Sequence, residues 1–246
     1  MKPYYQDSAV TIYHGDCRQV LPNLETGSID LLWTDPPFGH GNHDGDFNAR
    51  LNAHRGIEDQ PIANDGMEDM RSLVDFILTE ATRFLNPKVS ACCCCCGGGG
   101  GPKPTFAWLA TRMDQSGMAF FHSVIWDKLN PGLGWRFRRQ HEMVMVAHPT
   151  KAKLLWADDD RAIPNVFAGM PPRNREHPNE KPEELVGYFL EAMLSEGKVV
   201  LDPCMGSGTT LRVAKNRQRR AIGIELDERY CEIAAKRMGQ EVLAFA

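Results

Sequence analysis

Val199-Val200-Leu201-Asp202-Pro203-Cys204-Met205-Gly206-Ser207-Gly208-Thr209-Thr210 is the stretch on which the fold turns. Its three leading apolar residues have the length and character of a buried strand, and a helix-compatible segment follows the glycines. Gly206 and Gly208 form a turn where backbone can pass close to a ligand. A helix that starts there leaves its first N–H groups open to that ligand. A second strand, Ala221 to Glu225, ends in an acidic residue seventeen positions beyond Gly208. A carboxylate at that point can accept hydrogen bonds from two ribose hydroxyls. The six-position glycine fingerprint of NAD-binding sheets is absent, which tilts the cofactor away from NAD. Asp227 reads as the N-cap of the last helix.

Working outward, strand and helix alternate almost from end to end. Thr11 to His14 is a short strand running into Gly15-Asp16, and a brief helical stretch then reaches Leu24. Ser28 to Trp33 is an apolar run of buried-strand length. Met70, Leu73, Val74, Ile77, Leu78, Ala81, Phe84 and Leu85 share one helical face, and Asn86-Pro87 ends that helix. Val89 to Cys96 reads as a strand, Pro104 to Met113 as a helix, and Ala119 to Trp126 and His141 to Ala147 as two more strands. Pro182 opens a helix with an apolar face, and Gly197 lies just past its end. The alternation predicts an α/β fold with a doubly wound, mostly parallel sheet carrying an antiparallel hairpin strand. The economical reading is one domain over 1–246. Within it, a mobile loop is expected over about 39–66 and a small, irregular recognition region over about 149–176.

Composition adds two puzzles. The chain has 246 residues, 42% hydrophobic and 24% charged, which is ordinary globular usage. Its net charge of -4 argues mildly against nucleic acid as a partner. Five of the eight cysteines are consecutive, Cys92 to Cys96, and Gly97 to Gly101 follow directly. None falls in a zinc-ligand spacing, and neighbours in a strand cannot pair as disulfides. Free cysteine behaves as a small hydrophobe, so the run suits a central strand covered on both faces. The start, MKPYYQDSAV, lacks a signal-peptide core, and no stretch has the length of a membrane span. A cytoplasmic location with reduced thiols is expected.

The second chemical motif is Thr34-Asp35-Pro36-Pro37-Phe38-Gly39, at the C-terminal end of an apolar strand, the edge where open α/β sheets bind ligands. Two prolines fix φ and remove two donors, which leaves rigidly aimed carbonyl acceptors. An acid, a rigid carbonyl and an aromatic face together suit a planar ring that bears an exocyclic amino group. Asp-Pro is also common in plain strand-ending turns, so the tetrapeptide alone leaves both readings open.

In order, Asp35-Pro36-Pro37-Phe38, then His177-Pro178-Asn179-Glu180-Lys181-Pro182, then Asp202 to Thr210, then Ile222-Gly223-Ile224-Glu225-Leu226-Asp227, resemble the amino-group DNA methyltransferases. More narrowly they are similar to the β class, whose motif order is circularly permuted so that the catalytic motif precedes the cofactor glycines. The resemblance runs from Gly15-Asp16 to the last helix and implies a Rossmann-like methyltransferase sheet with S-adenosylmethionine as cofactor and S-adenosylhomocysteine as product. By the same resemblance Asp202, Pro203, Gly206, Ser207 and Gly208 face the cofactor. Glu225 and Leu226 hold its ribose side, Asp16 and Cys17 its adenine, and Thr209, Asn179 and Lys181 its methionine portion. Asp35, which also borders the cofactor, and the Pro36 carbonyl bind the target amino group, with Pro37 keeping the turn rigid and Phe38 stacked on the base. Phe38 replaces the commoner tyrosine, Glu180 a frequent glutamine and Cys204 a frequent aromatic.

Aspartate at position 35 leans towards adenine N6. Cytosine N4, or an RNA or protein-glutamine amino group, is the alternative, and a cofactor-sensing or DNA-binding module is a third. Arg136, Arg138, Arg139, Lys151, Lys153, Arg173 and Arg175 cluster near the expected recognition region, and double-stranded DNA as substrate turns them into phosphate contacts. The resemblance also allows a homodimer, a separate restriction endonuclease, and a bacterial or phage-encoded enzyme that works at the nucleoid. His40, His43, Asp44, Asp46 and His54 match no familiar ligand set, so no metal is expected.

Overall fold

In the computed structural model the described residues are 1–37, 67–96, 105–131, 137–138, 140–157, 162–172 and 180–240. The expected loop over 39–66, with His40, His43, Asp44, Asp46 and His54, and the glycines after the cysteine run lie outside them. Among the described residues ten strands form one sheet. They are β1 (Tyr5–Gln6), β2 (Val10–His14), β3 (Leu31–Thr34), β4 (Val89–Cys96), β5 (Met118–Asp127), β6 (His141–Pro149), β7 (Lys153–Leu154), β8 (Val166–Ala168), β9 (Val199–Asp202) and β10 (Arg220–Glu225). Their order is β1-β2-β10-β9-β3-β4-β6-β5-β8, with β7 added beside β4.

The central strands β2, β10, β9, β3 and β4 are parallel. Antiparallel pairing joins β1 to β2, and β6 to both β4 and β5. The expected hairpin is therefore β5–β6, and a short antiparallel edge strand at the N-terminus adds to it.

Six helices cover the faces. On one side lie α1 (Cys17–Val20), α2 (Met67–Phe84) and α3 (Thr105–Gln115); on the other lie α4 (Glu183–Met193), α5 (Thr209–Asn216) and α6 (Glu228–Gly239). Strand periodicity divides the core accordingly. Leu31 and Trp33 of β3 face the C-terminal helices and Leu32 faces the N-terminal ones. Trp33 packs against Phe189 of α4 with ring centroids 5.1 Å apart. The apolar face of α2 forms as its spacing predicts: Met70, Leu73, Val74, Ile77, Leu78, Ala81 and Phe84 are all buried. Each such residue contributes roughly 1.5–3 kcal/mol on burial.

The cysteine run occupies β4, between β3 and β6. Cys93 and Cys95 enter one core layer, Cys92 and Cys94 the other. Burial pushes the Cys92 thiol up to about 12 and holds Cys93 well above its ordinary value. The region over 149–176, expected to be irregular, contributes β7 and β8 to the sheet instead. Its polar sequence conceals them because both are short strands. Native protein at neutral pH should therefore resist labelling by a maleimide at Cys92 to Cys95, and peptide mapping should find these thiols modified only after denaturant is added. Fast native labelling there would place β4 at the surface.

Candidate active site

Parallel strands leave their C-terminal ends on one edge, and four adjacent strands deliver a carboxylate to that edge. Asp16 follows β2, Glu225 ends β10, Asp202 ends β9 and Asp35 follows β3. Three strand spacings make this row about 14 Å long. The register enforces the alignment: Glu225 is level with His14, and Gly223 with both Ile12 and Asp202.

The glycine turn is clamped to this row. Gly206 N–H donates to Glu225 Oε2 at 2.9 Å, and Asp227 N–H donates to Glu225 Oε1 at 2.9 Å. Gly208 adopts φ +82° at the start of α5, a backbone state that a side chain strains, and a Cβ there would lie 2.8 Å from that of Ala234. Thr210 Oγ1 donates to Asp202 Oδ2 at 2.7 Å, and Cys204 N–H donates to Oδ1 at 3.1 Å. Burial nevertheless pushes Asp202 up to about 7, with the Asp35 and Glu225 charges adding to the shift. Burial likewise raises Glu225, against its N–H bonds.

Lys181, expected at the methionine portion of the cofactor, has its ammonium 2.8 Å from Asp35 Oδ2 and 3.3 Å from Glu142 Oε2. A buried ammonium needs anionic partners, and these two supply them. Burial alone would lower the Lys181 pKa, but the Asp35 and Glu142 charges overcome it and raise it. Pro36 is buried and Pro37 half-buried at the same edge.

Asp16 accepts from Arg18 N–H at 2.9 Å as the N-cap of α1, and the Arg18 guanidinium lies 2.6 Å from its Oδ2. Arg18 thereby holds its carboxyl below the usual range, against burial. An adenine amino group would have to share or displace that guanidinium, an exposed partner held by about 0–1 kcal/mol. The Cys17 side chain packs into the core beneath α1. Pro203 and Ser207 are buried in the turn, and the half-exposed Leu226 sits at its rim, with its carbonyl oxygen 3.2 Å from His14 Nε2.

Two residues escaped the sequence reading. Arg237 of α6 donates to Glu180 Oε1 at 2.9 Å and to Ser207 Oγ at 3.2 Å, while Thr209 Oγ1 donates to the same Glu180 oxygen at 3.1 Å. The glycine turn and the segment that carries Lys181 are thus tied together. Glu142 is the other; its available signal was a lone acid inside the otherwise apolar run His141 to Ala147. Phe38, Asn179, Arg136, Arg139, Arg173 and Arg175 lie outside the described residues.

The basic candidates separate by edge. The β5–β6 connection opens at the carboxylate edge, because Asp127 pairs with His141 there, and it carries the exposed Arg138. Lys151 and Lys153 belong elsewhere: β7 pairs with Val89 and Ser90 at the far end of β4, whereas Cys94 is level with Thr34. Five strand residues, roughly 17 Å, separate the two levels. Lys151 and Lys153, expected as DNA contacts, therefore lie away from the carboxylate edge: proximity to 149–176 in the chain is not proximity to that edge.

A sulfonium donor fits this edge. It is a cation offered a row of carboxylates, and each Glu225 oxygen, bonded to one N–H, retains capacity for a ribose hydroxyl. Among the described residues no group of three metal-ligating side chains occurs.

The sequence pattern of the N6/N4 DNA methylases, described as DNA methylase, matches residues 29–236. The type II methyltransferase M2.DpnII of Streptococcus pneumoniae is 26% identical over 259 residues, spanning 98% of this chain and 93% of that one. In structure, the M1.HpyAVI–SAM complex superposes with a TM-score of 0.69 at 22% identity, over 94% of this chain and 100% of that one. The cytosine-N4-specific PvuII DNA methyltransferase gives 0.74 at 19% identity, over 99% and 91% of the two chains.

The carboxylate row has a measurable consequence. Asp202 near 7 in the folded chain, against about 4 unfolded, means that the folded state holds the extra proton between those values. Stability contributed by Asp202 is therefore full at low pH and is lost as pH rises through that window. Thermal melts should show Asp202→Asn gaining on wild type from about pH 4 to about pH 7, by a few kcal/mol at most. A gap independent of pH would mean that Asp202 ionises normally.

Proposed function

This chain belongs to the N6/N4 DNA methylase family: it is an enzyme that methylates amino groups of DNA bases from S-adenosylmethionine, and we propose that its target is N6 of adenine within a specific duplex sequence. The observation that carries the reading is Asp35 at the end of β3, beside Asp202 of β9 in the cofactor row. The donor supplies a methyl group activated by its sulfonium; the protein supplies placement.

An adenine amino nitrogen is a poor nucleophile because its lone pair is delocalised into the ring. Asp35 and the Pro36 carbonyl accept its two N–H bonds, which favours a pyramidal nitrogen with a localised lone pair, and Phe38 stacks on the ring. Positioning and fixed charge then supply the rate. The base must leave the duplex, at a cost of about a few kcal/mol. Arg138 on the β5–β6 connection, with Arg136 and Arg139 beside it in sequence, contacts phosphates near the flipped base, and we assign Arg173 and Arg175 to phosphate contacts as well. Asp202, Pro203, Gly206, Ser207, Gly208, Thr209, Asn179, Glu225, Leu226 and Asp16 bind the donor. We place the enzyme in the cytoplasm, where both substrates are available. A second copy of the chain or a separate endonuclease is compatible with this reading.

Modification-sensitive sequencing of DNA from cells expressing the protein tests the assignment. N6-methyladenine at one recurring sequence, abolished by Asp35→Ala, is the expected result. N4-methylcytosine in its place would transfer the assignment to the cytosine activity seen in the PvuII enzyme's name, and label only in RNA or protein would remove DNA as the substrate.

A further inference from the structure

We propose that Glu142 is a positioning residue for methyl transfer: it shares the Lys181 ammonium with Asp35 and so sets how that ammonium covers the carboxylate that receives the target amino group. This rests on the reading of Asp35 given above.

Glu142 and Lys181 are carried by different kinds of element. Glu142 is the second residue of β6, directly opposite Trp126 of β5, and its neighbour Met143 pairs with Cys96 of β4. Its side chain is therefore mounted on the sheet itself. Lys181 stands just before the start of α4 at Pro182. Charges alternate along a line through the site. Lys128 Nζ lies 3.3 Å from Glu142 Oε1, Lys181 Nζ lies 3.3 Å from Glu142 Oε2, and Lys181 Nζ lies 2.8 Å from Asp35 Oδ2. The side chains of Glu142, Lys181 and Asp35 are 17%, 11% and 18% exposed, so solvent screens these pairs little.

Stability alone does not account for such a line. A buried ion pair is often no better than apolar residues of the same volume, and β6 is otherwise apolar here. The arrangement does solve a problem of the chemistry. An unshared ammonium on Asp35 would compete with the target N–H groups for the carboxylate. No cation at all would let the neighbouring Asp202 charge favour protonation of Asp35, and a protonated carboxyl is a poorer acceptor. Dividing one ammonium between two carboxylates satisfies both needs. Besides Lys181, the groups facing this cluster are Lys128 at the end of β5, Cys95 of β4 and, beside Asp35, Asp202 of β9.

Steady-state methylation by Glu142→Gln, Lys181→Met, the double variant and Asp35→Ala tests the proposal on the full-length enzyme. Glu142→Gln, close in shape, should lower kcat roughly 10- to 100-fold while KM for the donor changes less than about threefold. The acid limb of its pH profile should move to lower pH, because Asp35 then has Lys181 to itself and one fewer anion nearby. In the Lys181→Met background, Glu142→Gln should cost nothing further. An unmoved acid limb, independent losses in the double variant, or unchanged kcat would overturn the proposal while Asp35→Ala remains inactive. Activity in Asp35→Ala would instead overturn the reading of Asp35 on which it rests.

Discussion

The parallel pairing of β3 with β9 is the constraint on which the site depends. It joins Leu31 to Val200 and Leu32 to Leu201, residues far apart in the chain. Asp30 secures the lower end: its N–H donates to the Val199 carbonyl at 3.1 Å, and its Oδ2 accepts from Val199 N–H at 3.0 Å. Side-chain alternation permits no slip, because a shift of one residue would turn Trp33 out of its layer with Phe189 and Leu32 into it. With the register set, Asp35 and Asp202 must emerge side by side. The cofactor half is built from both chain ends, since β2 near the N-terminus lies beside β10 near the C-terminus. A permuted order of motifs thus leaves the arrangement in space unchanged.

Carboxylates crowded on one edge are costly, and the protein handles the cost in three ways. Glu225 is held by backbone N–H groups of the glycine turn and of Asp227, and Asp16 by Arg18 and the start of α1. Asp35 is held by a lysine. Asp202 has the least help: its Thr210 and Cys204 partners leave it short of full compensation for burial, which keeps it near neutral pH. A cationic donor would supply part of what the row lacks, so the crowding of carboxylates itself favours the donor.

Much of this was legible in the residues. The glycine turn between two strands declared the cofactor half, because close backbone approach has few chemical solutions. The apolar face of α2 and the cysteine run declared both core layers, because burial needs only periodicity and volume. Strands β7 and β8 were hidden, being too short for period-two alternation to register. The Lys181 ion pairs, and the end of β4 beside which Lys151 and Lys153 lie, were not legible, because motif order carries no information about which carboxylate an ammonium reaches or which end of a strand a loop adjoins. Glu142 and Arg237 act through contacts between segments distant in sequence, and such contacts emerge only with the sheet order.

The central claim is that the β3–β9 seam brings donor and target together over Asp35. The most direct measurement is a crystal structure with S-adenosylmethionine bound. Its ribose should meet Glu225, and its methyl group should project across the seam towards Asp35, leaving room for a nitrogen about 3–3.5 Å from the methyl carbon. A donor seated with its methyl group directed away from Asp35, or bound off the row of Asp16, Glu225 and Asp202, would contradict the assignment.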